Sequence, residues 1–136
     1  MSEEIDHIGI AVRSLDVSLA FYCDVLQLQA GDPEIVASEG VRVVFLRLGS
    51  TRIELLEPLE QDSAVARFIR KRGEGIHHIC LLVDDLEEYI ASLEARGARI
   101  IPPRIRPGAR GHRIAFVHPR STCGVLLELK ERVIIH

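Results

Sequence analysis

The chain has 136 residues, 47% hydrophobic and 27% charged, enough apolar material for one compact domain or two small ones sharing a core. Seventeen basic and twenty acidic residues leave a net charge of −3, aromatic residues make up 4%, and there is no tryptophan. This excludes the basic footprint and the base-stacking platform of a nucleic-acid binder, and no run approaches the roughly 18–20 apolar residues that cross a bilayer. The start, "MSEEIDHIGI", lacks the basic-then-apolar order of a secretory leader, so a soluble cytoplasmic protein without membrane contact is expected. Cys23, Cys80 and Cys123 are odd in number and lack paired spacing, so they read as free thiols.

In chain order, "DHIGIAV" (6–12) reads as a strand. After the polar break "RSLD", Leu15, Leu19, Tyr22 and Leu26 recur at helical spacing, with Asp16 near the helix start. A short strand is expected around Gln27–Ala30, followed by strands 41–50 and 51–58 joined as a hairpin at Gly49-Ser50. "QDSAVARFIRKRGEG" (61–75) predicts a connecting helix with Val65, Phe68 and Ile69 on one face and Gly73 and Gly75 closing it. "HHICLLVDD" (77–85) opens a second strand, and Leu86, Ile90 and Leu93 predict a helix that Gly97 caps. A short strand around Arg99–Pro102 and the strands "RIAFVHP" (113–119) and "GVLLELKE" (124–131), linked by "RSTC", complete the chain. The expected fold class is therefore α+β: module one 1–60, a connector 61–75 and module two 76–136, each module written strand–helix–three strands.

The two modules are copies. A shift of 71 positions lays "DHIGIAVRSLDVSLAFY" on "HHICLLVDDLEEYIASL", so that His7 meets His78, Val12 meets Val83 and Leu15 meets Leu86. Strand alternation sets His7, Gly9 and Ala11 opposite Ile8, Ile10 and Val12, and sets His78, Cys80 and Leu82 opposite Ile79, Leu81 and Val83. Glu54 opposes Ile53 and Leu55 in the same way, and Glu128 opposes Leu127 and Leu129. Each module thus turns one histidine and one glutamate away from its helix-packed face, at intervals of 47 and 50 residues. A lone histidine at a strand start is commonly structural, and a lone glutamate between leucines commonly faces solvent. Four such residues placed symmetrically point to a metal site: His7, Glu54, His78 and Glu128. Two imidazoles and two carboxylates suit a divalent first-row ion and leave coordination positions open.

His77 points to the opposite face from His78, His118 sits at a strand end in a structural setting, and His136 is terminal. His112 lies in the basic loop "PGARGHR", among Arg104, Arg106, Arg110 and Arg113. That loop is either a solvated turn or a lid whose cations, Arg110 and Arg113 with His112, hold carboxylate or phosphate groups of a substrate.

The repeated module with these four residues resembles the vicinal oxygen chelate superfamily. Within it, "DHIGIAV", "IELLEPL", "GIHHICLLVDD", "RIAFVHP" and "GVLLELKE" are similar, in order and over nearly the whole chain, to the methylmalonyl-CoA epimerase family. The resemblance implies an open eight-stranded cup around the metal, a homodimer, and cobalt or manganese as the ion, with zinc or nickel as alternatives that the residues do not separate. It implies an acyl-CoA substrate, methylmalonyl-CoA, whose (R) and (S) forms are interconverted by proton removal and return at C2. Glu128 is expected in one acid–base role. Some family members carry glutamine where Glu54 stands and a separate carboxylate on the preceding strand, but "VRVVFLRL" holds no acid, and Glu39 lies too far along. Glu54 is therefore expected to serve both as ligand and as the second acid–base. A glyoxalase-like isomerase of hemithioacetals and a metal-free binding protein of the same fold are the alternatives. An iron dioxygenase would use two histidines and one carboxylate, which the fourth ligand here argues against.

Overall fold

A computed structural model describes residues 3–133. The chain divides into two compact units: His7–His77, and His78 onward together with the N-terminal residues as far as Asp6. The first unit holds strand β1 (Glu4–Ala11) from His7 on, helix α1 (Leu15–Leu19), strands β2 (Glu34–Val36), β3 (Val41–Leu48) and β4 (Thr51–Pro58), and helix α2 (Ala64–Arg72). Its strands lie in the order β2-β3-β4-β1, with β4 parallel to β1 and the other neighbours antiparallel. The second unit holds β5 (Gly75–Val83) from His78 on, α3 (Leu86–Ala95), β6 (Arg106–Pro107), β7 (Arg113–Val117) and β8 (Leu127–Glu131). Its order is β6-β7-β8-β5, with β8 parallel to β5. The expected α+β architecture of two strand–helix–three-strand modules is what the chain forms.

Each unit packs one helix on one sheet face. In the first, Leu15 of α1 meets Val12, Val44, Leu46 and Leu55, with Ile10, Leu19, Tyr22 and Ile53 around them. In the second, Leu86 and Ile90 of α3 meet Val83, Ala115, Val117 and Leu129, with Leu81, Leu93 and Leu127 around them. Ser14 caps α1 by accepting from the Val17 amide, and Asp85 caps α3 by accepting from the Glu88 amide. A carboxylate from the last strand of each unit adds a second tie. Glu57 accepts from the Leu15 amide at 2.9 Å, and Glu131 accepts from the Leu86 amide at 3.0 Å. These bonds satisfy otherwise unpaired helix N–H groups and fix the helix start against the strand that carries the glutamate.

Three expectations need correction. Leu26 does not join the core and is 50% exposed. The helix passes at Ala20–Val25 into a π-turn, in which the Leu26 amide reaches back to the Phe21 carbonyl at 2.9 Å. The wider turn rotates the apolar stripe, so Cys23 packs inward in place of Leu26. The short strands also lie further along the chain. Gln27 adopts a left-handed φ of 63° that closes the helix, and Ala30 makes only an isolated bridge to Leu46, so β2 forms at Glu34–Val36. In the second unit Ile100 makes the equivalent bridge to Val117, and then Pro102 and Pro103 offer no N–H to continue a ladder, so β6 forms at Arg106–Pro107. Finally, β8 starts at Leu127 rather than Gly124, because Cys123 and Gly124 have φ values of 60° and 96°, outside the extended region.

The exchange of Leu26 for Cys23 gives a direct test. Leu15→Ala removes a side chain that is 2% exposed and should cost about 2–5 kcal/mol in denaturant unfolding. Leu26→Ala should cost less than about 0.5 kcal/mol, as expected for a surface position, whereas comparable losses would place Leu26 in the core.

Candidate functional site

The sheet face opposite each helix carries the four predicted ligands, and all four are buried. Of the predicted ligands, His7 is 2% exposed, Glu54 5%, His78 3% and Glu128 7%. The parallel pairing places each histidine and glutamate by the same rule. Gly9 is the register partner of Glu54, and Cys80 is that of Glu128, so each histidine sits two residues before its glutamate's partner. Two residues along a strand return to the same face. In the first unit His7 Nε2 lies 3.2 Å from Glu54 Oε1; in the second, His78 Nε2 lies 2.9 Å from Glu128 Oε1. The unequal sequence intervals of 47 and 50 residues therefore conceal one spatial arrangement.

A phenylalanine walls each pair. Phe45, across from Glu54 in the β3–β4 ladder, meets the His7 ring edge-on at 5.4 Å. Phe116, across from Glu128, meets the His78 ring at 6.4 Å with the planes at 85°. A guanidinium covers each phenylalanine: Arg52 at 4.1 Å over Phe45 and Arg106 at 5.1 Å over Phe116. Sequence reading missed these aromatic–arginine partners. Phe45 and Phe116 look like ordinary core residues until cross-strand register pairs each with a glutamate.

A buried carboxylate requires a compensating charge or hydrogen bonds. Each glutamate here has an imidazole nitrogen turned to it, and each imidazole has a carboxylate oxygen. Together the pairs supply two neutral nitrogen donors and two anionic oxygens, all buried, a donor set that could hold a metal ion. Two carboxylates balance the charge of a divalent cation, so the residues fit such an ion on chemical grounds.

The remaining histidines and the basic loop have their own partners. His77 stacks edge-on against Phe68 at 5.0 Å, and His118 Nδ1 accepts from the Arg120 amide at 3.0 Å, which is a structural role. His136 lies outside the described residues. Arg104 pairs with Glu94 and holds that carboxyl below its ordinary range through the hydrogen bond. Arg113 pairs with Glu87 at 2.7 Å and Glu131 at 3.5 Å. Arg110 is exposed at a left-handed φ of 58°, and His112 is half-buried. Gly108 anchors the loop: a Cβ there would stand 2.9 Å from Ile114 Cγ2, and its amide donates to the His112 carbonyl at 2.8 Å. A groove of about 690 Å³ in this unit is bordered by His112 and Arg113 along with Asp84, Glu87, Glu131 and Arg132. The three cysteines are free thiols, and no described helix is long and apolar enough to cross a membrane.

Comparison with known proteins adds an independent line. Residues 6–116 match the model of the Glyoxalase/Bleomycin resistance protein/Dioxygenase superfamily. An ethylmalonyl-CoA/methylmalonyl-CoA epimerase of Cereibacter sphaeroides is 38% identical over 135 residues, covering 96% of this chain and 99% of the relative. The mitochondrial methylmalonyl-CoA epimerase of Bos taurus is 38% identical over 128 residues, covering 93% of this chain and 73% of the relative. A solved methylmalonyl-CoA epimerase in complex with methylmalonyl-CoA and NH4+ superposes with a TM-score of 0.93 at 34% identity, covering 100% of this chain and 99% of that one.

Proposed function

Because the chain belongs to the Glyoxalase/Bleomycin resistance protein/Dioxygenase superfamily and, within it, to the methylmalonyl-CoA epimerase family, we propose that it interconverts (R)- and (S)-methylmalonyl-CoA. The observation that carries this reading is the buried histidine–glutamate pair repeated, in the same strand register, in each unit of an epimerase-family chain. His7, Glu54, His78 and Glu128 would hold one divalent cation, with both units acting as a single domain around it. Cobalt or manganese is the proposed ion, and zinc or nickel would meet the same donors. When bound, the ion supplies Lewis-acid stabilisation of the charge that develops on the thioester oxygen.

The chain's own residues do the rest. The substrate's C2 carbon lies between a thioester and a carboxylate, and that carboxylate makes a second negative charge costly. A carboxylate oxygen of Glu128 accepts the C2 proton on one face, and a carboxylate oxygen of Glu54 delivers a proton to the other; the roles reverse for the opposite enantiomer. Strands β4 and β8 hold the two glutamates rigidly, and the buried phenylalanines Phe45 and Phe116 keep water from the pairs. Arg110, His112 and Arg113 are proposed to border the coenzyme A portion, with the groove beside His112 and Arg113 as support. The enzyme is proposed to be cytoplasmic and homodimeric, as its soluble composition and family suggest. A hemithioacetal isomerase would ask for similar donors, and it is the epimerase names of the full-length relatives that separate the two readings.

Glu54→Gln should lower epimerisation of both enantiomers by about 10²–10⁴-fold, read as solvent deuterium uptake and loss of optical activity, with metal content near that of the parent. Parent-like turnover would remove Glu54 from the acid–base role. Stripping divalent ions with a strong chelator should abolish activity, and adding cobalt or manganese back should restore it. Activity that survives complete removal would contradict the metal-assisted reading.

A further inference from the structure

Helix α2 carries Arg67, Arg70, Lys71 and Arg72 and no acid, in a chain whose net charge is −3. Its apolar side, Val65, Ala66 and Ile69, is buried, and the helix packs on β4. Where the chain leaves β4 for this helix, a cavity of about 260 Å³ opens, wholly within the first unit. Pro58, Leu59 and Ile69 give it apolar walls, and Arg13 and Arg70 line it with guanidiniums. Leu59 is 49% exposed, a large apolar side chain that the fold leaves uncovered. Both cations are fixed at the cavity. Arg70 donates to the Gln61 carbonyl at 2.6 Å, which uses one of the five N–H groups of a guanidinium. Glu74 accepts from the Arg13 amide at 2.7 Å and lies 3.4 Å from the Arg13 guanidinium. Glu60 also lines the cavity, with its carboxylate against the Gly40 backbone, where a Cβ would stand 3.3 Å from Oε2.

Apolar walls with guanidiniums beside them match the two parts of a nucleotide. The base is a flat ring that packs on aliphatic side chains and stacks on guanidinium planes, and a phosphate takes charge-assisted hydrogen bonds from arginine. The volume lies below the roughly 300–1,000 Å³ of pockets that enclose a whole drug-sized ligand, so one ring system fits and an entire coenzyme does not. We propose that this cavity holds the adenine ring of the acyl-CoA substrate, with Arg13 and Arg70 on a phosphate of the same nucleotide. This rests on the epimerase reading and extends it, giving the nucleotide end an anchor in the first unit besides the basic loop of the second. The ribose that carries the adenine bears both the 3′-phosphate and the diphosphate, either of which offers the required oxyanion. Contacts to that end of the substrate are equal in ground and transition states, so they appear in KM rather than in kcat.

The test measures kcat and KM for Arg13→Gln, Arg70→Gln, Leu59→Ala and Lys71→Gln with three methylmalonyl thioesters: of coenzyme A, of 3′-dephospho-coenzyme A, and of N-acetylcysteamine, which has no nucleotide. Calorimetric titration with coenzyme A alone gives Kd for each protein. Arg13, Arg70 and Leu59 are all exposed, so the three variants remove little packing and stand in for one another if one folds poorly. Lys71 is exposed on the same helix but outside the cavity lining, so its variant controls for loss of charge alone. Each arginine variant should raise KM and Kd for coenzyme A forms about five- to twentyfold, with kcat within about threefold of the parent. Leu59→Ala should raise both about two- to fivefold, as expected for lost apolar contact. Lys71→Gln, and every variant on the N-acetylcysteamine thioester, should stay within about twofold of the parent. An arginine effect that disappears with the dephospho thioester assigns the phosphate as the 3′ one, and an effect that persists assigns it as the diphosphate. Arginine variants within twofold of the parent, a Lys71→Gln loss as large as theirs, or an equal loss with the N-acetylcysteamine thioester overturns the cavity as the nucleotide site. A parent that binds no coenzyme A overturns it as well. A parent that binds coenzyme A yet turns over no thioester overturns the epimerase reading instead, and the cavity then stands or falls on the Kd comparison.

Discussion

The structure depends on the burial of two carboxylates, each against an imidazole, on sheet faces that an ordinary protein would fill with apolar side chains. Glu54 stands between Ile53 and Leu55 and Glu128 between Leu127 and Leu129, aliphatic residues that pack under a helix, and each glutamate faces away from them toward a histidine. Alternation makes this unavoidable: once Ile53 and Leu55, or Leu127 and Leu129, are committed to the helix side, the residue between them must enter the opposite face. A carboxylate there is costly unless it is matched in charge and hydrogen bonding. Small residues follow the first histidine, with Gly9 and Ala11 on its face, so the strand adds little side-chain bulk beside the pair.

Duplication positions the donors without long-range fine adjustment. Each unit makes a parallel pair from its first and last strands, β1 with β4 and β5 with β8, and the intervening helix must cross over to permit it. Register then fixes the histidine relative to the glutamate. The capping bonds from Glu57 and Glu131 tie helix and last strand together three residues beyond Glu54 and Glu128, so a slip of either strand would also break a helix start. The strands hold Glu54 and Glu128 in register, and the covering helix resists their displacement.

Much of this was legible in the chain itself. The 71-residue repeat and the period-two pattern together identify His7, Glu54, His78 and Glu128 and the face each occupies, because alternation is a local property that burial enforces. Features set by longer-range constraints were hidden. The π-turn that expels Leu26 follows from a hydrogen-bond choice within the helix, which residue spacing does not encode. The second and sixth strands are three and two residues long, and proline and left-handed backbone displace them from where apolar runs suggest. Glu57 and Glu131 look like surface charges at strand ends, and only the fold shows their helix amides. Arg52 and Phe45 likewise acquire meaning through cross-strand register rather than through spacing along the chain.

Metal stoichiometry across single-ligand variants tests the central claim most directly. If the proposed centre is shared by both units, elemental analysis of the purified protein should find one divalent ion per chain, and His7→Ala and His78→Ala should each remove that same ion. Retention of a full equivalent by either variant, or two independent ions each lost with its own histidine, would contradict a shared site.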